Sequence, residues 1–322
     1  MKALYFDGQL SVRDVDRPKP GPGEALIQVV FAGICGTDRE ILKGYSNFRG
    51  IPGHEFVGRV VECEEKKWLG KRVVGEINIS CGECELCLWG QGRHCPKRTV
   101  MGIVNRDGVF AEFATLPIVN LHEVPKTVSD QAAVFIEPLA AAGEILEQMP
   151  IPPGAHVAII GDGRLGLLVA QVLHHAKAQV TVIGKHGWKL DLARGWGMEV
   201  ASVDEGEMPA RSFSVIVEAS GSPAGLDRAF RLVAPRGTVV MKSTFHGRAQ
   251  FDTAKLVVDE ITLLGSRCGD FRRALELLAR GRVKVQHLVS KTFPLEAGLE
   301  AFEYLENTSC LKVLLAPSPA KS

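Results

Sequence analysis

Four cysteines fall within fifteen residues, at Cys81, Cys84, Cys87 and Cys95 of "CGECELCLWGQGRHC". Thiolates at C-x2-C-x2-C-x7-C spacing bind metal. Four of them complete a tetrahedral zinc and leave no position for a substrate, so such a site holds structure together rather than doing chemistry. An iron–sulfur cluster could use the same ligands, but nothing nearby resembles the partners of an electron carrier. A second set is scattered: Cys35 in "GICGTD", His54 and Glu55 in "PGHEF", and Glu137 in "IEPLA". Singly, Cys35 reads as a core cysteine and His54 as a satisfied core histidine. Together they offer sulfur, nitrogen and oxygen donors, which suit zinc, and a catalytic zinc needs about three protein ligands and one open position.

The third feature is Gly161-Asp162-Gly163-Arg164-Leu165-Gly166, a G-x-G-x-x-G loop. A strand-like run ("HVAII") precedes it, a helical run ("LGLLVAQVLHHA") follows, and a second strand ("QVTVI") comes next. In that context backbone N–H groups and a helix N-terminus face a pyrophosphate. An acidic residue about 20 positions further on would accept a bond from the ribose 2′-hydroxyl of NAD. Gly184 stands there, followed by Lys185, with Lys189 near the start of the next helix. These lysines are expected to meet a 2′-phosphate, so NADP is expected to serve at least as well as NAD.

The elements that must position these groups change character along the chain. Residues 1–138 are rich in Gly, Pro and short β-like runs such as "EALIQVVFAGI" and "HEFVGRVVEC", and read as a β-rich domain carrying both metal sets. Residues 139–269 alternate strand and helix, which predicts an α/β unit with a parallel, doubly wound sheet. Residues 270–322 ("FRRALELLARG", "HLVSKTFPL", "EAGLEAFEYLEN", "CLKVLLAP") are expected to return to the first domain.

With 322 residues the chain is long enough for two domains. Its 38 Lys plus Arg balance 37 Asp plus Glu, which argues against a nucleic-acid binder. No stretch of about 18 apolar residues occurs and the N-terminus lacks a signal-peptide core, so a cytoplasmic protein with no membrane partner is expected. Cys63, Cys268 and Cys310 are expected in the core.

The ordered set "CGTD", "GHE", the four-cysteine lobe, "EPLA", "GDGRLG" and "VEASGSP" resembles the zinc-containing medium-chain alcohol and polyol dehydrogenases, over nearly the whole chain. The resemblance implies a GroES-like catalytic domain and a Rossmann domain, two zincs per chain, and NADP or NAD. Cys35 and His54 would hold the catalytic zinc. Glu55 would be a direct or alternating ligand, and Glu137 would bind directly or through water. Thr37 would hydrogen-bond the substrate oxygen and take its proton, and Asp38 would orient His54. The substrate would be a simple alcohol, polyol, sugar or matching carbonyl, and the protein a dimer or tetramer. Two departures stand out. Glu40 occupies the position where many relatives carry a proton-relaying histidine, and the segment from "VVEC" to "KRVVG" is shorter than usual. Two other readings remain: a zinc- and nucleotide-binding interaction protein without turnover, and a zinc-independent reductase of the same superfamily. The second should lack Cys35, His54 and the cysteine lobe.

Overall fold

In the computed structural model, which describes residues 1–204, 208–244 and 251–317, the chain divides into two units. One comprises Met1–Glu137 and Val285–Ser322, the other Pro138–Lys284.

The first unit is built on a seven-stranded sheet. Its path runs Val289–Pro294, Lys312–Ala316, Glu24–Gly33, Glu55–Cys63, Arg72–Gly75 and Leu121–Glu123, with Phe113–Pro117 also pairing to Glu24–Gly33. The strands are rich in Val, Ile and Phe, and Ile27, Val29, Phe56, Val60 and Leu116 bury into one core. Two antiparallel pairings matter for the site. Glu24–Gly33 sets Gly33 opposite Glu55, and Lys312–Ala316 sets Leu314 opposite Gly33. The N-terminal residues form two strands, Lys2–Phe6 and Leu10–Asp14, paired antiparallel.

The second unit carries six parallel strands in the order Glu199–Ser202, Gln179–Gly184, His156–Ile160, Phe213–Glu218, Val233–Met241 and Thr262–Gly265. Numbered along the chain this is 3-2-1-4-5-6, the doubly wound order, and the crevice beside the first strand is where such sheets bind dinucleotides. Val157–Ile160 and Val180–Ile183, apolar apart from Thr181, are almost wholly buried, as continuous strands covered on both faces must be.

The expected boundary at 269/270 moves. The chain rejoins the first unit only at Val285. Helix Phe271–Ala279 stays with the parallel sheet because its contacts are there: Arg273 pairs with Glu147, and the Gln171 amide bonds both backbone groups of Lys284, at 3.2 and 2.7 Å. The other boundary falls at 137/138 rather than 138/139. Among the described residues no helix is long and apolar enough to cross a membrane.

Candidate functional site

The scattered ligand set converges. The strand Glu24–Gly33 runs out just before Cys35, which sits in extended backbone as the N-cap of helix Gly36–Leu42. Asp38, the third residue of that helix, accepts the backbone N–H of Cys35 at 2.7 Å. This is the reach-back of an N-terminal capping carboxylate. Its other oxygen lies 3.3 Å from His54 Nδ1. Asp38 is fully buried and His54 nearly so. One carboxylate therefore bonds the cysteine's backbone and stands beside the histidine's ring. Burial pulls the His54 imidazole down and the Asp38 carboxylate pushes it up, leaving it well above the ordinary histidine value.

Donor atoms of Cys35, His54 and Glu55 all lie within 4.8 Å of one another. Glu55 Oε1 is buried with no hydrogen-bond partner among the described residues. A bare buried carboxylate oxygen beside a thiol and an imidazole is a strong cost unless a cation meets it, so the set fits zinc. Thr37 Oγ1 stands 3.9 Å from Cys35 Sγ. Glu137 begins helix Ile136–Gln148, partly buried, and is not one of the three convergent donors. Glu40 lies on the helix carrying Thr37 and pairs with Lys43 at 2.9 Å.

One member of the site was not anticipated. Lys312, fully buried, donates to the second oxygen of Glu55 and lies 3.3 Å from the carbonyl of Ile34. The strand order explains the meeting: Lys312–Ala316 and Glu55–Cys63 flank the same strand end at Gly33. A Cβ on Gly33 would lie 2.7 Å from the Glu55 carboxylate and 3.3 Å from Lys312, so only glycine leaves room for the pair. The available signal was a lone lysine inside the apolar run "CLKVLLAP". Breaking one side of a buried ion pair typically costs about 3–5 kcal/mol. Lys312→Met is expected to lower unfolding free energy by that much, and Glu55→Gln with Lys312→Met to recover most of it. Denaturant titration checks this; equal losses in the single and double variants would contradict it.

The cysteine lobe is equally well formed. The four Sγ atoms lie 3.4–3.9 Å apart along 81–87, 84–87, 84–95 and 95–81. Tetrahedral zinc with bonds of about 2.3 Å requires sulfurs roughly 3.8 Å apart. Backbone N–H groups of Glu83 and Cys84 bring the Cys81 thiol down to about 6, favouring the thiolate that a metal needs. The lobe has little regular structure: the short helix Glu85–Leu88, a 3-10 turn at Gly92–His94 and a two-stranded ribbon, Asn78–Ile79 with Thr99–Val100. It depends on its ligands instead. Cys84→Ser is expected to cost about 2 kcal/mol or more, or roughly 4–8 °C in Tm, while kcat/KM in the cold falls less than about tenfold. A calorimetric scan and an assay at low temperature check both halves. Cys63, Cys268 and Cys310 are partly buried rather than in the core; Cys63 ends a strand and its Sγ lies 3.1 Å from Glu65 O.

In the second unit, Gly161–Gly166 joins strand His156–Ile160 to helix Arg164–His175. Gly163 is the N-cap, no side chain caps the helix, and a Cβ at Gly163 would meet no protein atom. The helix start therefore offers its N–H groups to an anion. Arg164 and Leu165 are partly buried at that start. Strand Gln179–Gly184 runs one residue beyond the expected "QVTVI", with Lys185 exposed and Lys189 buried, its Nζ 5.3 Å from the Trp188 ring centroid. The carboxylate missing at Gly184 is nevertheless present in space. Asp162, from inside the loop, reaches across to accept the backbone N–H groups of Lys185 at 2.8 Å and His186 at 2.6 Å.

Comparison with known proteins agrees with both halves. Residues 21–126 match the alcohol dehydrogenase GroES-like domain, and residues 165–280 match the zinc-binding dehydrogenase domain. D-arabinitol dehydrogenase 1 of Uromyces fabae is 29% identical over 99% of this chain and 97% of its own. L-threonine 3-dehydrogenase of Bacillus licheniformis is 32% identical over 93% of each. Among solved structures, a chain from Sinorhizobium meliloti 1021 bound to NADP superposes with a TM-score of 0.90 at 31% identity, covering 98% of this chain and 99% of that one. An alcohol dehydrogenase from E. coli CFT073 complexed with NADH gives 0.91 at 27%, with the same coverage.

Proposed function

We propose, on the premise that the chain belongs to the zinc-binding, medium-chain alcohol and polyol dehydrogenase family, that it interconverts an alcohol and its carbonyl by hydride exchange with NAD or NADP. The observation that carries this reading is the convergence of Cys35, His54 and Glu55 beside the Thr37 hydroxyl.

Bound zinc would supply a Lewis acid that lowers the pKa of an alcohol, and the nicotinamide ring accepts the hydride. The chain's own residues do the rest. Cys35 and His54 would hold the ion, with Asp38 against both of them. Glu55 offers a third donor, restrained by Lys312 through its other oxygen. Glu137, outside the three convergent donors, would act on the ion directly or through water. Thr37 Oγ1 hydrogen-bonds the substrate oxygen, takes its proton as that oxygen becomes anionic, and passes its own hydroxyl proton on toward solvent. Glu40, paired with Lys43, stands on the same helix three residues on from Thr37, at the position where many relatives carry a proton-relaying histidine. The four-cysteine lobe would hold a second, closed zinc. Gly161, Gly163, Arg164, Leu165 and Gly166 form the pyrophosphate turn, with Gly184, Lys185 and Lys189 bordering the adenosine end.

The substrate class favoured is a polyol or sugar alcohol, in keeping with the D-arabinitol enzyme among its relatives. The chain works in the cytoplasm as a homo-oligomer. A panel of polyols, sugars and simple alcohols, each with NAD and NADP and followed by absorbance of the reduced nicotinamide, tests the reading. Turnover of at least one polyol supports it; tight cofactor binding with no turnover across the panel would favour a non-catalytic binding protein.

A further inference from the structure

We infer that Asp162, inside the glycine loop, is the acid that reads the adenosine ribose and turns the protein against a 2′-phosphate, an inference that deepens the dinucleotide reading above and rests on it. In folds of this kind the recognising carboxylate stands at the end of the second strand. Here that strand ends in Gly184. A Cβ at Gly184 would lie 2.5 Å from Asp162 Cβ and 2.6 Å from Asp162 Oδ2. Position 184 is glycine because the Asp162 side chain fills the space, so the acid has moved and has not been lost.

Asp162 is locked where it stands. It is 7% exposed. Oδ2 accepts the backbone N–H groups of Lys185 and His186, and His186 Nδ1 lies 3.0 Å from Oδ2 and 3.2 Å from Oδ1. The two backbone donors lie at the entrance to helix Gly187–Gly195, and they are the kind an arriving phosphate would use. They are already taken by an anion. A 2′-phosphate would meet occupied donors and a carboxylate, whereas a 2′-hydroxyl would meet an acceptor. Neither lysine reverses the balance. The Lys185 side chain is exposed, where solvent and salt screen its charge. Lys189 is buried against Trp188. The expectation of NADP use rested on the absence of an acid at the strand end, and Asp162 removes that ground.

Titration of the zinc-loaded protein with NADH and NADPH, read by nicotinamide fluorescence, tests the inference without turnover. The Kd for NADH is expected to be at least about tenfold lower, a difference of about 1.4 kcal/mol. Asp162→Asn removes the charge and keeps the shape, and should shrink the ratio to about threefold or less by tightening NADPH. Moving the acid back, as Asp162→Gly with Gly184→Asp, should restore it. Lys185→Ala should leave it within about twofold. If Asp162→Asn does not fold by circular dichroism, the wild-type ratio and the swap decide. NADPH binding as tightly as NADH, or a ratio untouched by Asp162→Asn, would overturn the inference while leaving the dinucleotide reading intact. A folded wild-type protein that binds neither nucleotide would overturn both.

Discussion

Replacing Cys35 by serine or His54 by alanine is expected to lower kcat/KM by at least about 10³-fold, roughly 4 kcal/mol of transition-state stabilisation. The size follows from what the two residues hold. On the proposed mechanism, polarising the substrate oxygen would depend on an ion gripped by donors that converge within 4.8 Å. Removing one donor from a set of about three leaves the ion weakly held. Stability should change much less than activity. Cys35 is partly buried at a helix start, and the Asp38 bond goes to its backbone, which serine keeps. His54→Ala opens a cavity but leaves the strand pairing of Glu55 with Gly33 in place. Steady-state kinetics with circular dichroism and a thermal scan separate the two effects. Activity within about tenfold of wild type in either folded variant would contradict the assignment.

Thr37→Ala is expected to lose about 10²–10⁴-fold in kcat, the usual range for a positioned proton-transfer group, while Thr37→Ser stays within about tenfold. Thr37 is the second residue of helix Gly36–Leu42, and its Oγ1 sits 3.9 Å from Cys35 Sγ. A β-branched side chain on a helix has few χ1 choices, so the hydroxyl is held toward the donor set at little entropic cost. Serine carries the same hydroxyl with more freedom, hence a modest loss. Alanine has nothing to accept the proton. The loss should fall mainly on kcat, because the hydroxyl acts as the proton leaves and contributes little to ground-state binding. Equal activity in the two variants would refute the role.

How much of this was legible in the chain depends on the distance over which each feature is encoded. The cysteine lobe is local: its spacing alone places four thiols around one point, and the sulfurs lie 3.4–3.9 Å apart along the four bridging pairs. The strand–glycine–helix–strand run is local too, and the parallel order of the sheet follows from it. Cys35 and His54 could be paired only by resemblance, since nothing in their separation says that Asp38 touches both. Lys312 was invisible for a sharper reason. Its partner is 257 residues away, and the pair exists because two strands flank Gly33. Asp162 was not singled out, because a strand end is read from its own residues, whereas the carboxylate that fills the space beside Gly184 comes from the glycine loop 22 positions earlier. The return point of the chain, at Val285 and not 270, is likewise decided by side-chain contacts such as Arg273 with Glu147.

The central claim is that one chain carries two zincs with separate tasks, one open and one closed. Elemental analysis of the folded, active protein, scaled to chain concentration, tests it most directly. About two zincs per chain are expected in wild type, falling to about one in Cys35→Ser with the fold retained and turnover gone. One metal per folded, active wild-type chain, or two retained in an inactive Cys35→Ser, would contradict the account.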